Sequence, residues 1–343
     1  MKLTFPILTL NKGGAQRMLV EITNGLAAKG HDVTIIMPAS GAMEFSHIKS
    51  KLIRTNKHEL GANDYPYSDA IVSNFHTTTS SAQAASVSGK GKHIRFSLCY
   101  EPMFLPEQSV SFPTFQVTDK LIVLSKYQQE LIFLNHGIKG KIVPIGVGPE
   151  FRNLNLRKPY DPLQVSAIVR MPEGGWAWHR RQDYLISQLD IIKTRFPAVK
   201  INLICPPGEY NKSPALQMLA KTPKYKFFTP ANDTELCYIY NQTDIFVASS
   251  IFEAAPLPGL EAMKCGAALV ATYAGGNMEY CRHEENCLLS YGFENRLGHD
   301  IIRLIENVSL RQQLAVNGQK EAEKWSWQNS VNAFEKALLE YLK

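Results

Sequence analysis

A chain of 343 residues is longer than one ordinary hydrophobic core fills, and it predicts two domains. Hydrophobic residues at 45% and charged residues at 20% describe a soluble globular protein, and the absence of any apolar run of about 18 residues excludes a transmembrane helix. The net charge of +6 lies mainly in residues 1–150, with 15 Lys and Arg against 11 Asp and Glu, but no long basic stripe or nucleic-acid motif accompanies it, so nucleic acid is not an expected partner.

The N-terminal LTFPILTL is apolar, carries a proline and runs into a glycine turn, which reads as a buried first strand rather than a signal peptide and points to the cytoplasm. GGAQRMLVEITNGLAAKG follows as a helix, with Met18, Leu19, Ile22 and Leu26 on one face and Gly30 at its C-terminal stop. DVTIIMP, DAIVSN, KHIRFSLCY, KLIVLS and GKIVPIGVG are further short apolar runs bounded by turn residues. Lys49, Lys51, Arg54 and Lys57 cluster between them; they read as a solvated face or as peripheral contact with anionic lipid at the inner membrane surface. The six cysteines form no CxxC pair and no zinc spacing, which predicts reduced, structural thiols.

The stretch 153–162 is polar and proline-bearing and reads as a linker. The strand–helix alternation then resumes with QVSAIV, KINLIC, YKFFTP, DIFVASS and AALVAT. The expected class is α/β: a Rossmann-like domain over 1–152, the linker, a second over 163–325, and a closing helix over 326–343. Ligands of such parallel sheets bind beyond the carboxyl ends of the strands, here in a cleft between the domains.

Neither GxGxxG after the first strand nor GxxxxGK[ST] occurs, which disfavours dinucleotide and P-loop chemistry. NKGGAQR places Gly13 and Gly14 at a helix start, where backbone N–H groups could meet a phosphate or sugar hydroxyl; a plain turn is the equal alternative. In FEAAPLPGLEAMKCG, Glu253 follows a strand and Glu261 falls in the first turn of a helix opened by Pro258 and Gly259. The helix dipole accounts for Glu261 but not for Glu253. Arg170 ends a strand, and Arg180 and Arg181 lie beyond the loop MPEGGWAWH; arginine forks suit phosphate.

FEAAPLPGLEAMKCGAALVATYAGGNMEY resembles the signature of the retaining, nucleotide-sugar-dependent glycosyltransferases called family 4, with two glutamates eight residues apart. GGAQRMLVEITNGLAAKGHDVTI, VPIGVGPEF and the terminal WSW are similar to other segments of that family. The resemblance implies the GT-B fold, two Rossmann-like domains facing a cleft, with a last helix returning to the N-terminal domain. It implies a donor site in the C-terminal domain: Glu253 on the donor sugar, Glu261 on the ribose, and Arg170 with Arg180 or Arg181 on the diphosphate. Ala255, Pro256, Leu257 and Pro258 would line that site, with Gly13 and Gly14 opposite. The donor would be a UDP-, GDP- or dTDP-linked hexose and the acceptor a glycan, cell-wall or lipid-linked sugar. No cofactor is implied. With no Asp-x-Asp pair present and arginines available to meet the leaving phosphate, no metal is expected.

The chain also departs from the pattern. Ala254 stands where glycine is usual, and Cys99, Tyr100 and Glu101 stand about where a histidine is usual. Tyr100 and Glu101, with His76, are therefore the acceptor-side candidates, and no acid or base is carried over. YEPMFLP resembles a variant of some rhamnosyltransferases. Two other readings remain: a nucleotide-sugar-binding relative without activity, and a retaining glycoside hydrolase using the two glutamates.

Overall fold

The computed structural model describes residues 1–105, 108–158 and 161–343. Pro106 of the YEPMFLP stretch, its neighbour Glu107, and Pro159 and Tyr160 of the expected linker lie outside the described residues. The chain divides into two compact units, one formed by 1–146 with 327–343 and the other by 147–326.

The first unit carries β1 (Lys2–Pro6), β2 (Asp32–Met37), β3 (Lys51–Arg54), β4 (Ala70–Ser73), β5 (Lys92–Phe96), β6 (Leu121–Val123) and β7 (Lys141–Ile142). They form one parallel sheet in the order β3-β2-β1-β4-β5-β6-β7. The second unit carries β8 (Gln164–Ile168), β9 (Lys200–Ile204), β10 (Tyr225–Phe228), β11 (Ile245–Ala248), β12 (Ala268–Thr272) and β13 (Leu288–Ser290), ordered β10-β9-β8-β11-β12-β13 and again all parallel. Strands buried on both faces need near-continuous apolar sequence, and ALVAT of β12 is buried at every position.

Helix boundaries follow from local chemistry. The helix Gly14–Ala28 buries Met18, Leu19, Ile22 and Leu26, the face that its 3.6-residue spacing predicts. Gly30, at φ +88°, ends it: its N–H meets the Ala27 carbonyl and that of His31 meets the Leu26 carbonyl, the Schellman arrangement. Gly266, at φ +82°, ends the helix Leu257–Lys264 in the same way, through Met263 and Ala262.

The last helix, Trp327–Leu342, is part of the first unit. Phe334 packs on Phe5 and Phe96, and Gly25 lets the helix Gly14–Ala28 come close, since a Cβ there would lie 2.2 Å from Val331 Cγ2. The start of the expected linker is bound onto the second unit: Arg157 donates to the carbonyls of Tyr240, Thr243 and Cys265. Of the basic cluster, Lys57 pairs with Asp64, while Arg54 donates to the neutral Gly41 carbonyl and keeps its charge. Among the described residues no helix is long and apolar enough to cross a membrane, and no disulfide joins the cysteines.

Candidate functional site

In each sheet the strand order reverses once, between β1 and β4 and between β8 and β11. Such reversals open a crevice at the carboxyl ends, because the connections leave in opposite directions. In the second unit Arg170 follows β8 and Glu253 follows β11, so both stand at the reversal. In the first unit Gly13 and Gly14 follow β1, and His76 opens the helix His76–Val87 after β4.

Glu253 is the most elaborately held of these side chains. Its Oε1 lies 3.4 Å from Arg180 Nη1 and 3.6 Å from His179 Nε2, and it accepts the Ser250 hydroxyl at 3.1 Å. Burial pushes the carboxyl up, but the Arg180 charge, the neighbouring His179 ring and the Ser250 hydrogen bond outweigh it and bring it down to about 2. The group is therefore a carboxylate at neutral pH, an acceptor and not a proton donor.

The backbone around it is fixed from the other side. Glu253 N–H donates to the Ala274 carbonyl at 2.8 Å, and Gly276 N–H donates to the Glu253 carbonyl at 2.9 Å. A Cβ on Gly276 would lie 2.0 Å from the Ala254 carbonyl oxygen, so this position has room only for glycine. Gly13 differs: its φ of −174° is extended backbone, and a Cβ there would meet only the end of the Gln16 side chain at 2.7 Å. Local geometry does not demand glycine at Gly13. The turn is further stapled by Tyr280, whose hydroxyl donates to the Pro256 carbonyl, and by Thr272, whose hydroxyl donates to the Ser250 carbonyl.

Ala255 and Pro256 lead into the helix Leu257–Lys264, with Pro258 in its first turn. Pro256 is the cap and offers no capping side chain. Glu261 is the fifth helical residue, and the first turn holds no acidic group. This corrects the expectation from sequence: the helix begins early enough to leave Glu261 beyond the reach of the N-terminal dipole, which therefore does not account for it. Its Oε2 accepts the hydroxyl of buried Tyr240 at 3.4 Å.

The three arginines have different partners. Arg170 grips Glu209 with Nε at 2.8 and 2.9 Å and with Nη2, and burial, which raises the Glu209 carboxyl, is overcome by that contact. Arg180 faces Glu253. Arg181 lies over the Tyr184 ring and donates to the Gly292 carbonyl. A bidentate fork already filled by a carboxylate is the same geometry that a phosphate would take.

On the first unit, Glu101 is buried and bidentate to buried Arg95 at 2.9 and 2.9 Å, with Arg95 also on Thr79 and Thr114. Tyr100 is 6% exposed and bonds His136 at 2.9 Å. Both are thus interior. His76 is half-buried, and burial and the Arg95 charge hold its imidazole below its ordinary range. Sequence reading missed His179, Ser250 and Glu209; His179 sits in a three-residue 3-10 turn, Trp178–Arg180, too short to show a periodicity, and Glu209 is 39 residues from its partner.

Residues 175–321, all within the second unit, match the family model described as Glycosyl transferases group 1. Among curated proteins, an uncharacterized glycosyltransferase, MJ1607 of Methanocaldococcus jannaschii, is 29% identical over 121 residues, covering 34% of this chain and 31% of that protein. A D-inositol 3-phosphate glycosyltransferase of Salinispora tropica is 27% identical over 160 residues, covering 43% and 33%. The matched stretches thus span about a third of these relatives. Among solved structures, a sucrose-phosphate synthase from Thermosynechococcus elongatus superposes with a TM-score of 0.79 at 15% identity, over 99% of this chain and 98% of that one. Anabaena Alr3699/HepE in complex with UDP and glucose gives 0.80 at 18% identity, over 99% of each. The fold is GT-B, two Rossmann-like units with parallel sheets.

Proposed function

We propose that this chain is a metal-independent, retaining glycosyltransferase of the family 4 type. It moves a hexose from a nucleoside diphosphate to a polysaccharide, cell-wall or glycolipid acceptor. One observation carries the reading. At the strand-order reversal of the second unit, the Glu253 carboxylate is held ionised between Arg180, His179 and Ser250, beside a helix start that no side chain caps.

The arrangement divides the labour by charge. A carboxylate repels a diphosphate but accepts hydrogen bonds from sugar hydroxyls, so Glu253 suits the donor sugar and Glu261 the ribose. The diphosphate falls to Arg180, to Arg170 on exchange for Glu209, and to the N–H groups of Leu257 and Gly259. As the glycosidic bond breaks, negative charge grows on the departing phosphate. Donors already in place stabilise it, each worth roughly 2.7–4 kcal/mol. Gly13 and Gly14 offer a backbone that a ligand can approach closely.

UDP and UDP-glucose, bound by Anabaena HepE, are the first donors to try. GDP- and dTDP-linked deoxyhexoses belong beside them because of the Tyr100–Pro106 resemblance. The test is proton NMR of the product with each donor and a glycan acceptor. The reading expects the donor's anomeric configuration in the product; an inverted centre contradicts retention.

A further inference from the structure

Between β8 and the helix Gln182–Arg195 the chain makes a long excursion whose base and both arms are tied down. Gln182 closes its base, accepting from Arg170 N–H and donating to the Arg170 carbonyl. On the outgoing arm, Glu173 accepts from the Ser213 hydroxyl at 2.6 Å and the Ala215 N–H at 3.1 Å. On the returning arm, Ile251 N–H donates to the His179 carbonyl at 2.9 Å, and the Ser249 hydroxyl to that of Arg180 at 2.6 Å. At the tip, Gly174 and Gly175 are both left-handed, at φ +80° and +75°. Straight after them come two exposed tryptophans: Trp176 at 59% and Trp178 at 46%. Trp178 meets the ring of Phe252 edge-on at 5.9 Å, and Phe252 adjoins Glu253.

An anchored loop that holds two indoles in solvent is a surface built to be covered. We propose that Trp176 and Trp178 form a stacking platform for a pyranose ring of the acceptor glycan. A pyranose has an apolar C–H face and a hydroxyl rim. The indoles match the face, and Phe252, which Trp178 meets, adjoins Glu253 in the chain, so a ring seated on them neighbours the sugar that the proposed function gives to Glu253. That the platform takes the acceptor and not the donor sugar rests on the proposed function, which gives Glu253 to the donor.

The test uses the intact protein and its own emission. Trp325 is partly buried and Trp327 is 9% exposed, so a ligand on the loop changes mainly Trp176 and Trp178. Maltohexaose, cellohexaose and laminarihexaose are titrated without nucleotide, and UDP is titrated separately. The expected result is a saturable blue shift with at least one hexaose, lost in the Trp176→Ala/Trp178→Ala variant. That variant should keep the UDP-induced thermal shift of the parent and raise the KM for the glycan acceptor about tenfold, with Trp178→Phe restoring most of the loss. Two results overturn the platform: no hexaose moves the emission, or the double variant loses UDP binding, which would make the indoles a nucleobase stack. Saccharide binding without any nucleotide response leaves the platform standing and removes the transferase reading instead.

Discussion

Arg180 Nη1 lies 3.4 Å from Oε1 of Glu253, at the point where the strand order of the second sheet reverses. The pair unites two residues 73 positions apart in a site where neither is fully shielded from solvent; their side chains are 24% and 17% exposed. Removing Arg180 takes away both a counter-charge for Glu253 and a candidate donor to the leaving phosphate. Arg180→Ala should lower kcat by about 10²–10³-fold, the cost of one lost transition-state donor, while nucleotide affinity changes less. Steady-state kinetics on the donor separate the two parameters.

Arg170→Ala should behave differently. It strands the Glu209 carboxylate, which Arg170 now holds through Nε and Nη2. Loss of fold stability should accompany any loss of activity, and Arg170→Ala/Glu209→Ala should recover the stability but not the activity. A urea melt beside an activity assay reads both.

The two glycine positions make a contrast. Gly276→Ala drives a Cβ to 2.0 Å from a backbone oxygen that has no freedom to move, and should cost roughly 1–3 kcal/mol or more of stability. Gly13→Ala meets only a side-chain end, so thermal stability should hardly change. If a ligand approaches that backbone, donor affinity falls nonetheless. Melting curves with and without nucleotide test both halves.

Acid should weaken the second unit through Glu253. Its folded value of about 2 lies below the ordinary 4.5, so its contribution is fully present above about 4.5 and is lost as pH falls towards 2. His93 acts in a neighbouring window. Burial and the Arg95 charge lower it from 6.5 to about 4, so the folded first unit prefers the neutral ring, and stability falls as pH drops from about 6.5 towards 4. Glu253→Gln should flatten only the lower limb of the stability–pH curve, measured by thermal denaturation.

The buried Arg95–Glu101 pair predicts a structural phenotype. Glu101→Gln leaves Arg95, 1% exposed, without its carboxylate and should destabilise the first unit by about 3–5 kcal/mol. Chemical denaturation measures it.

Much of this was legible in the sequence because it is local. The spacing of Met18, Leu19, Ile22 and Leu26, the helix-ending Gly30 and Gly266, and the apolar run of β12 all act through neighbours in the chain. Glu253 could be singled out because a carboxylate after a strand has no local partner to explain it. What could not be read is pairing that the fold makes. Glu101 looked like a reaction-side carboxylate, but the turn after β5 folds it back onto Arg95 of that strand, six residues earlier, and both are interior. Arg170 and Glu209 meet only when the ends of β8 and β9 stand side by side. Glu261 was misread by one turn, because Ala255 and Pro256 give no side-chain signal for where the helix starts.

The central claim is that the constellation around Glu253 and Glu261 holds a nucleotide sugar, and the most direct measurement is a thermal-shift panel. UDP, GDP, dTDP and their hexose conjugates are tested on the parent, Glu253→Ala and Glu261→Ala. The account predicts that one base family stabilises the parent by about 2.7 kcal/mol at a hundred times its Kd. It predicts that Glu261→Ala weakens free nucleotide and conjugate alike, while Glu253→Ala removes only the extra stabilisation given by the sugar. No response to any of them, or equal losses on free nucleotide in both variants, contradicts it.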